Sequence, residues 1–201
     1  MNGDIKFELR RKIFHFLSLI YILIYIYINQ YFSHRAALLT LMFIFIILLF
    51  IEFIKIKYNR KVPLFQKLYR KRENDHLSGS TYLILGAIIA FAVFDFEIAV
   101  TALLMVVFGD ITSCLIGLTL GKHWIKNLSH VSWEGVIAEF FVNMIIGLLF
   151  LKIFWIVLIM ASVATFIETV LSSSDDNLAV PLLSGFAGQA ALIFFRILGI
   201  N

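Results

Sequence analysis

Apolar runs of near-membrane length alternate along this chain with brief polar interruptions. A helix needs roughly 20 predominantly apolar residues to cross a bilayer, and seven stretches approach that: 13–32, 36–54, 80–95, 97–121, 135–151, 153–171 and 178–198. The third is the shortest. One longer polar interruption, about 55–79, is basic and contains Pro63. The pattern predicts an all-α integral membrane protein with about seven transmembrane helices, forming a single helical domain over residues 1–201. Composition agrees, with 61% hydrophobic residues, 15% aromatic residues and a mean hydropathy of +0.95, above the level of a soluble domain. No internal repeat or low-complexity segment stands out.

Charge adds an orientation. With a cytoplasmic N-terminus, that side receives Lys6, Arg10, Arg11, Lys12, Lys55, Lys57, Arg60, Lys61, Lys67, Arg70, Lys71, Arg72, Lys122 and Lys126, against Arg35, Lys152 and Arg196 opposite. Fourteen to three is the bias expected of cytoplasmic loops, and an odd number of spans then puts the C-terminus outside. The first apolar run reads as a retained helix and not a signal peptide, because it is long and lacks a small-residue cleavage site. Cys114 is the sole cysteine, which excludes an intramolecular disulfide. Asn127-Leu128-Ser129 matches a glycosylation acceptor but falls on the predicted cytoplasmic side. Residues 117–123, GLTLGKH, have one residue too few between the glycines for a Walker A loop and end on His where Ser or Thr belongs.

Within spans, ionisable residues are expensive and usually face a bundle interior or an aqueous cavity. Glu8, Arg11, Lys12 and His15 share one helix face as the chain enters the bilayer. A basic anchor for anionic headgroups is one account of them, although His15 lies a turn deeper than an anchor needs. Asp110 sits in an apolar run behind Gly109, with Ser113, Cys114 and Gly117 on its face and Gly121 further on. A small-residue stripe suits close helix packing, but packing does not require the carboxylate. The fifth span opens with Ser132, Trp133, Glu134 and Gly135, then carries Glu139, Asn143 and Gly147 at four-residue steps. Glu134 also suits an N-terminal helix carboxylate favoured by the dipole, and Glu139 a packed hydrogen-bonding group. The sixth span carries Ser162, Thr165, Glu168, Thr169 and Ser172 on one stripe. A turn containing Asp175, Asp176 and Asn177 follows, then a last helix from near Leu178 with Pro181 close to its first turn, where proline is tolerated. An N-cap explains one of those three polar residues. It does not explain all of them beside Glu168.

The cytoplasmic ends of several spans thus present Asp110, Glu134, Glu168 and Asp176 with Arg11, Lys12, His15 and Lys122. One or two carboxylates plus substrate phosphates suit Mg²⁺ or a similar divalent cation, and Lys and Arg hold phosphates. Phosphoryl or nucleotidyl transfer needs this combination of positioning and charge neutralisation.

In order, the sequence carries Glu8, Arg11-Lys12 and His15; a basic loop leading to SGSTYLILG at 78–86; GD with GLTLG over 109–121; SWEG at 132–135; and Glu168 followed by DDNLAVPL, ending at 182. This order resembles the integral-membrane polyprenol kinases, which include dolichol kinase, phytol kinase and the CTP-dependent diacylglycerol kinase. The resemblance implies CTP as phosphate donor, a divalent metal and a membrane lipid alcohol as acceptor, with an isoprenoid alcohol first. It implies Asp110, Glu168 and Asp176 as metal ligands, with Asp110 a ligand or the base for the lipid hydroxyl. Asp176, Glu134 and His15 join the reacting site, His15 orienting the acceptor. Arg11, Lys12 and Lys122 hold phosphates. Ser80, Thr81, Gly117, Gly121, Ser132, Gly135, Asn177 and Pro181 line the nucleotide site; capping accounts equally for Ser80 and Thr81. The chain departs from the family's Lys-Ser/Thr-x-Glu-Gly sequence, since Val131 stands in the Lys position. Lys122, Lys126 and His130 are the alternatives for that phosphate contact.

The implied partners are lipid alcohol, nucleoside triphosphate and bilayer, and no nucleic acid, with the site facing the cytoplasm. Competing readings are a CTP-dependent diacylglycerol kinase, a cytidylyltransferase forming a CDP-lipid, and a transporter. Transporter sites tend towards the midplane and often accompany inverted repeats, unlike these one-sided polar groups. A seven-span retinal receptor is poorly supported, because the last span contains no Lys to form a Schiff base.

Overall fold

The computed structural model describes residues 16, 18–58, 77–126, 128, 131–171 and 176–199. They form seven helices: α1 Leu19–Tyr31, α2 His34–Tyr58, α3 Gly79–Val93, α4 Phe96–Leu120, α5 Trp133–Phe150, α6 Phe154–Leu171 and α7 Asp176–Ile197. Each predicted apolar run overlaps one helix. Five of them, α2 and α4 to α7, are long and apolar enough to cross a membrane, whereas α1 and α3 are shorter apolar helices. The outer surface carries many exposed large apolar side chains, including Phe43, Phe50, Phe141, Leu149, Phe166 and Phe186. Lipid, not water, is the solvent that suits such a surface.

Two boundaries differ from the sequence reading in ways that bear on the packing. Helix α2 continues to Tyr58, so Lys55 and Lys57 lie in its last turn and not in the basic linker. Burial of Lys55 against Glu52 explains the extension: the cation finds its counter-charge within the helix. Helix α7 begins at Asp176 rather than near Leu178, so Pro181 lies inside it. Proline has no N–H to donate to the carbonyl of Asn177, four residues earlier. Helix α3 passes close to that carbonyl, where Gly86 makes room: a Cβ there would lie 3.2 Å from the Asn177 oxygen and 3.2 Å from Pro181 Cγ.

Helix α4 is the axis of the bundle. It packs against α1, α3, α5, α6 and α7, and its inner face, including Ile98, Ala102, Leu103, Met105 and Val107, is almost inaccessible to solvent. The three-residue turn after α5 returns the chain at once, and α5, α6 and α7 pack in sequence. Small residues allow close approach, with Gly147 against Val157 and Gly188 against Met160. Helix α2 is peripheral and packs mainly on α1 and α3. Tyr25 ties that side together. Its ring stacks on Phe91 at a centroid distance of 3.6 Å, and its hydroxyl bonds His34 Nδ1 at 2.6 Å.

Candidate functional site

The polar groups of α4 to α7 meet in one half of the bundle. Ser132 caps α5, its hydroxyl accepting from the Gly135 N–H at 3.1 Å. Around that buried hydroxyl α4 ends and α5 begins. A Cβ at Gly117, Gly121 or Gly135 would lie 3.0–3.2 Å from Ser132 Oγ, so the four residues expected at the nucleotide site form one tight knot. Only small residues permit that closeness.

The connector from α4 to α5 folds back on itself. Trp124 and Ser132 form an isolated antiparallel bridge, flanked by hydrogen bonds from Ile125 N to Val131 O and from Trp133 N to His123 O, each 3.0 Å. Glu134 secures this fold from the first turn of α5. Its carboxylate meets His123 Nδ1 at 2.7 Å and accepts from the His123 backbone N–H at 3.3 Å. Glu134 therefore acts as an organiser of the connector, beside the exposed Lys122. Val131, the departure from the family pattern, lies half-buried within the same fold.

Deeper in the bundle lies a buried polar layer. Asn143 of α5 donates to Thr165 of α6 at 3.1 Å, fixing the register of the two helices. Glu139 and Glu168, a turn from these residues, are 2% and 8% exposed. Gly109 lets α4 join them, since a Cβ there would lie 3.0 Å from Asn143 Oδ1 and 3.2 Å from Glu139 Cγ. Asp110 follows directly and is half-buried. Asn143 Oδ1 accepts no hydrogen bond among the described residues.

At the start of α7, Asp176 is half-buried and accepts from the Asn177 N–H at 2.7 Å. Asn177 faces α3, where a Cβ at Gly79 would come within 2.8 Å of its side-chain nitrogen. The beginning of α3 is itself held by a residue outside the sequence-derived site. Glu52 of α2, 3% exposed, accepts from the Ser78 N–H at 3.2 Å and lies at hydrogen-bonding distance, 3.5 Å, from the Thr81 hydroxyl, while its other oxygen pairs with Lys55. Thr81 is buried and also bonds Ser78 Oγ at 3.1 Å; Ser80 next to it is half-buried.

The expected residues thus fall into three groups. Gly117, Gly121, Lys122, Ser132, Glu134 and Gly135 belong to the α4–α5 end, Asp110 and Glu168 to the buried layer, and Ser80, Thr81, Asp176, Asn177 and Pro181 to the α3–α7 contact. Arg11, Lys12, His15, His130 and Asp175 lie outside the described residues. Sequence reasoning missed Glu52 and His123. Glu52 sits in an otherwise apolar run, and its charge was the available signal; His123 shows no spacing that announces its bond to Glu134.

Among the described residues no three His, Cys, Asp or Glu side chains group closely enough to hold a metal ion. The available donors are nevertheless carboxylate and amide oxygens, the hard ligands that suit Mg²⁺. Such an ion would need to complete its shell with substrate phosphates and water.

No family model matches the sequence, and no solved structure matches it. An uncharacterized protein of Rickettsia prowazekii is 26% identical over 193 residues, which cover 89% of this chain and 92% of that protein. CTP-dependent diacylglycerol kinase 1 of Saccharomyces cerevisiae is 30% identical over 148 residues, 70% of this chain and 49% of the yeast protein. The chain spans about half the length of that kinase, and the similarity supports kinship with the CTP-dependent lipid kinases.

Proposed function

We propose that this chain is a CTP-dependent lipid kinase of the membrane, with diacylglycerol as its acceptor. The similarity over 148 residues to a CTP-dependent diacylglycerol kinase carries this reading. It favours a glycerolipid acceptor over the isoprenoid alcohol that the motif order first suggested. The polar half of an otherwise apolar bundle supports it physically: carboxylates at Asp110, Glu139 and Glu168 lie among helices that can span a bilayer, where an acceptor hydroxyl can arrive from the lipid.

The reaction joins the lipid hydroxyl oxygen to the γ-phosphorus of CTP, breaks the bond between that phosphorus and the β–γ bridging oxygen, and yields lipid phosphate and CDP. The hydroxyl proton must leave. Asp110 is assigned to that proton or to a divalent cation, with Glu168 or Asp176, not both, as a second candidate ligand beside the substrate phosphates. When bound, the cation neutralises charge on the phosphates. Asn177 and Pro181, seated against α3 beside Ser80 and Thr81, form one wall for the nucleotide. Gly117, Gly121, Ser132 and Gly135 shape the other, and Lys122 supplies a cation at its edge. Arg11 and Lys12 are assigned to phosphate and His15 to the acceptor hydroxyl. The excess of Lys and Arg in the loops of this side supports a cytoplasm-facing orientation for this half of the bundle.

The test is transfer from radiolabelled CTP by purified protein with Mg²⁺, offered diacylglycerol, polyprenols and phytol-like alcohols separately. The γ-label should enter diacylglycerol to give phosphatidic acid. Label entering only isoprenoid alcohols would retain the kinase and replace the acceptor. Incorporation of the α-label into phosphatidic acid with release of pyrophosphate would make the enzyme a cytidylyltransferase, and no transfer with any acceptor would overturn the kinase reading.

A further inference from the structure

At the opposite end of α4 to α7 a cavity of about 630 Å³ opens between the start of α4, the turn after α5 and the end of α7. Its volume lies within the usual range for a small-molecule site, roughly 300–1,000 Å³. Along α4 its mouth is about 20 Å from Asp110, from the separation of Phe96 and Asp110 at 1.5 Å rise per residue. It is therefore separate from the candidate kinase site. Ile156, 1% exposed, belongs to its floor, and Leu192 to its wall.

Four charged residues also line it: Asp95, Glu97, Lys152 and Arg196. Two of them satisfy each other. Arg196 meets Asp95 Oδ2 at 2.9 Å, and Gln189 completes the arrangement, accepting from the Asp95 N–H at 2.8 Å and donating to Asp95 Oδ1 at 3.3 Å. Glu97 and Lys152 are different. Both are exposed, and neither side chain forms an ion pair among the described residues, with each other or with a third group. The lining thus offers one unmatched anion and one unmatched cation above an apolar floor. A simple anion would meet Glu97 as a like charge, and a simple cation would meet Lys152. A ligand carrying both charges meets neither objection.

We propose that this cavity binds a phospholipid with a zwitterionic headgroup, its phosphate on Lys152, its primary ammonium on Glu97 and an acyl chain against Ile156 and Leu192. The apolar character of the surrounding helices places the cavity where phospholipids are present. A primary ammonium is preferred over a quaternary one because the Glu97 carboxylate accepts hydrogen bonds, which choline cannot donate. The same charge pairing makes this site distinguish headgroups, where a bare apolar crevice would distinguish none.

The experiment is native mass spectrometry of the full-length protein released from detergent after titration with phosphatidylethanolamine, phosphatidylcholine and phosphatidylglycerol of identical acyl chains. Phosphatidylethanolamine should bind at least about fivefold more tightly than either of the others. Lys152→Glu and Glu97→Gln should each abolish that preference, and the exchange Glu97→Lys with Lys152→Glu should restore most of it. Leu192→Trp, which fills the cavity and leaves its charges in place, should lower binding of all three lipids. Equal binding of the three lipids, unchanged by Lys152→Glu, would show bulk lipid adhesion only and overturn the proposal. A preference for phosphatidylglycerol would overturn the zwitterionic class. Kinase activity does not enter the readout, so the result stands apart from the proposed reaction.

Discussion

The two ends of helices α4 to α7 treat charge in opposite ways. At one end Arg196 and Asp95 meet at the surface with side chains 57% and 45% exposed, where an ion pair contributes about 0–1 kcal/mol. In the other half Glu139 and Glu168 are 2% and 8% exposed. Charge at that depth opposes folding unless neighbours compensate it. A surface pair needs no function to explain it, whereas a layer of buried carboxylates among membrane-type helices calls for one. Glu52 and Lys55 occupy an intermediate position: they are buried, but each is the other's counter-charge, and Glu52 additionally holds the start of α3.

The contrast can be broken by substitution. Asp110→Asn and Asp176→Asn should have the largest effect, each lowering lipid phosphorylation by about 10²–10⁴-fold, the contribution typical of a positioned proton-transfer group, while detergent melting curves stay near wild type. Near-normal turnover in either variant would remove that residue from the site. Glu52→Ala should act on folding instead. It removes a buried carboxylate that pairs with Lys55 and accepts from the Ser78 N–H, and thermal unfolding should reveal a loss of about 3–5 kcal/mol. Glu52→Leu combined with Lys55→Met should recover most of that loss, which a purely steric role would not predict.

Smaller effects follow where the group is better solvated or merely caps a helix. Ser132→Ala should cost about 1 kcal/mol, the worth of an N-cap, and should loosen the Gly117–Gly121–Gly135 knot, read as faster backbone amide exchange at Gly135. Arg196→Ala should cost less than about 1 kcal/mol and leave turnover unchanged. A loss as large as that from Glu52→Ala would show that the two ends of the bundle do not differ as their exposures imply.

Much of the architecture was legible in the chain. Apolar runs of near-span length marked the seven helices found among the described residues, because a segment that cannot be hydrated must satisfy its backbone internally. Boundaries were less legible. Lys55 looked like the first residue of a polar linker, and its pairing with Glu52 one turn earlier helps to explain its burial. Asp176 looked like a turn residue, but its carboxylate bonds the next N–H and the helix starts there. In the candidate site, the glycines of α4 and the SWEG motif are visible in the chain, and the fold brings them together around Ser132 Oγ. The destination of Glu134 was hidden, since its bond to His123 depends on the fold of the intervening connector.

The sequence by itself determined the apolar character of the helices, where they fall among the described residues and which residues are expensive to bury, because these depend on local composition and on length against bilayer thickness. Tertiary structure alone decided which polar groups share a layer, that Ser132 gathers three glycines, that Glu52 reaches from α2 to the start of α3, and that Glu97 and Lys152 line one cavity unmatched. Those outcomes depend on the rotation and register of packed helices, and small-residue contacts such as Gly109 against Asn143 fix that register only once both helices are present.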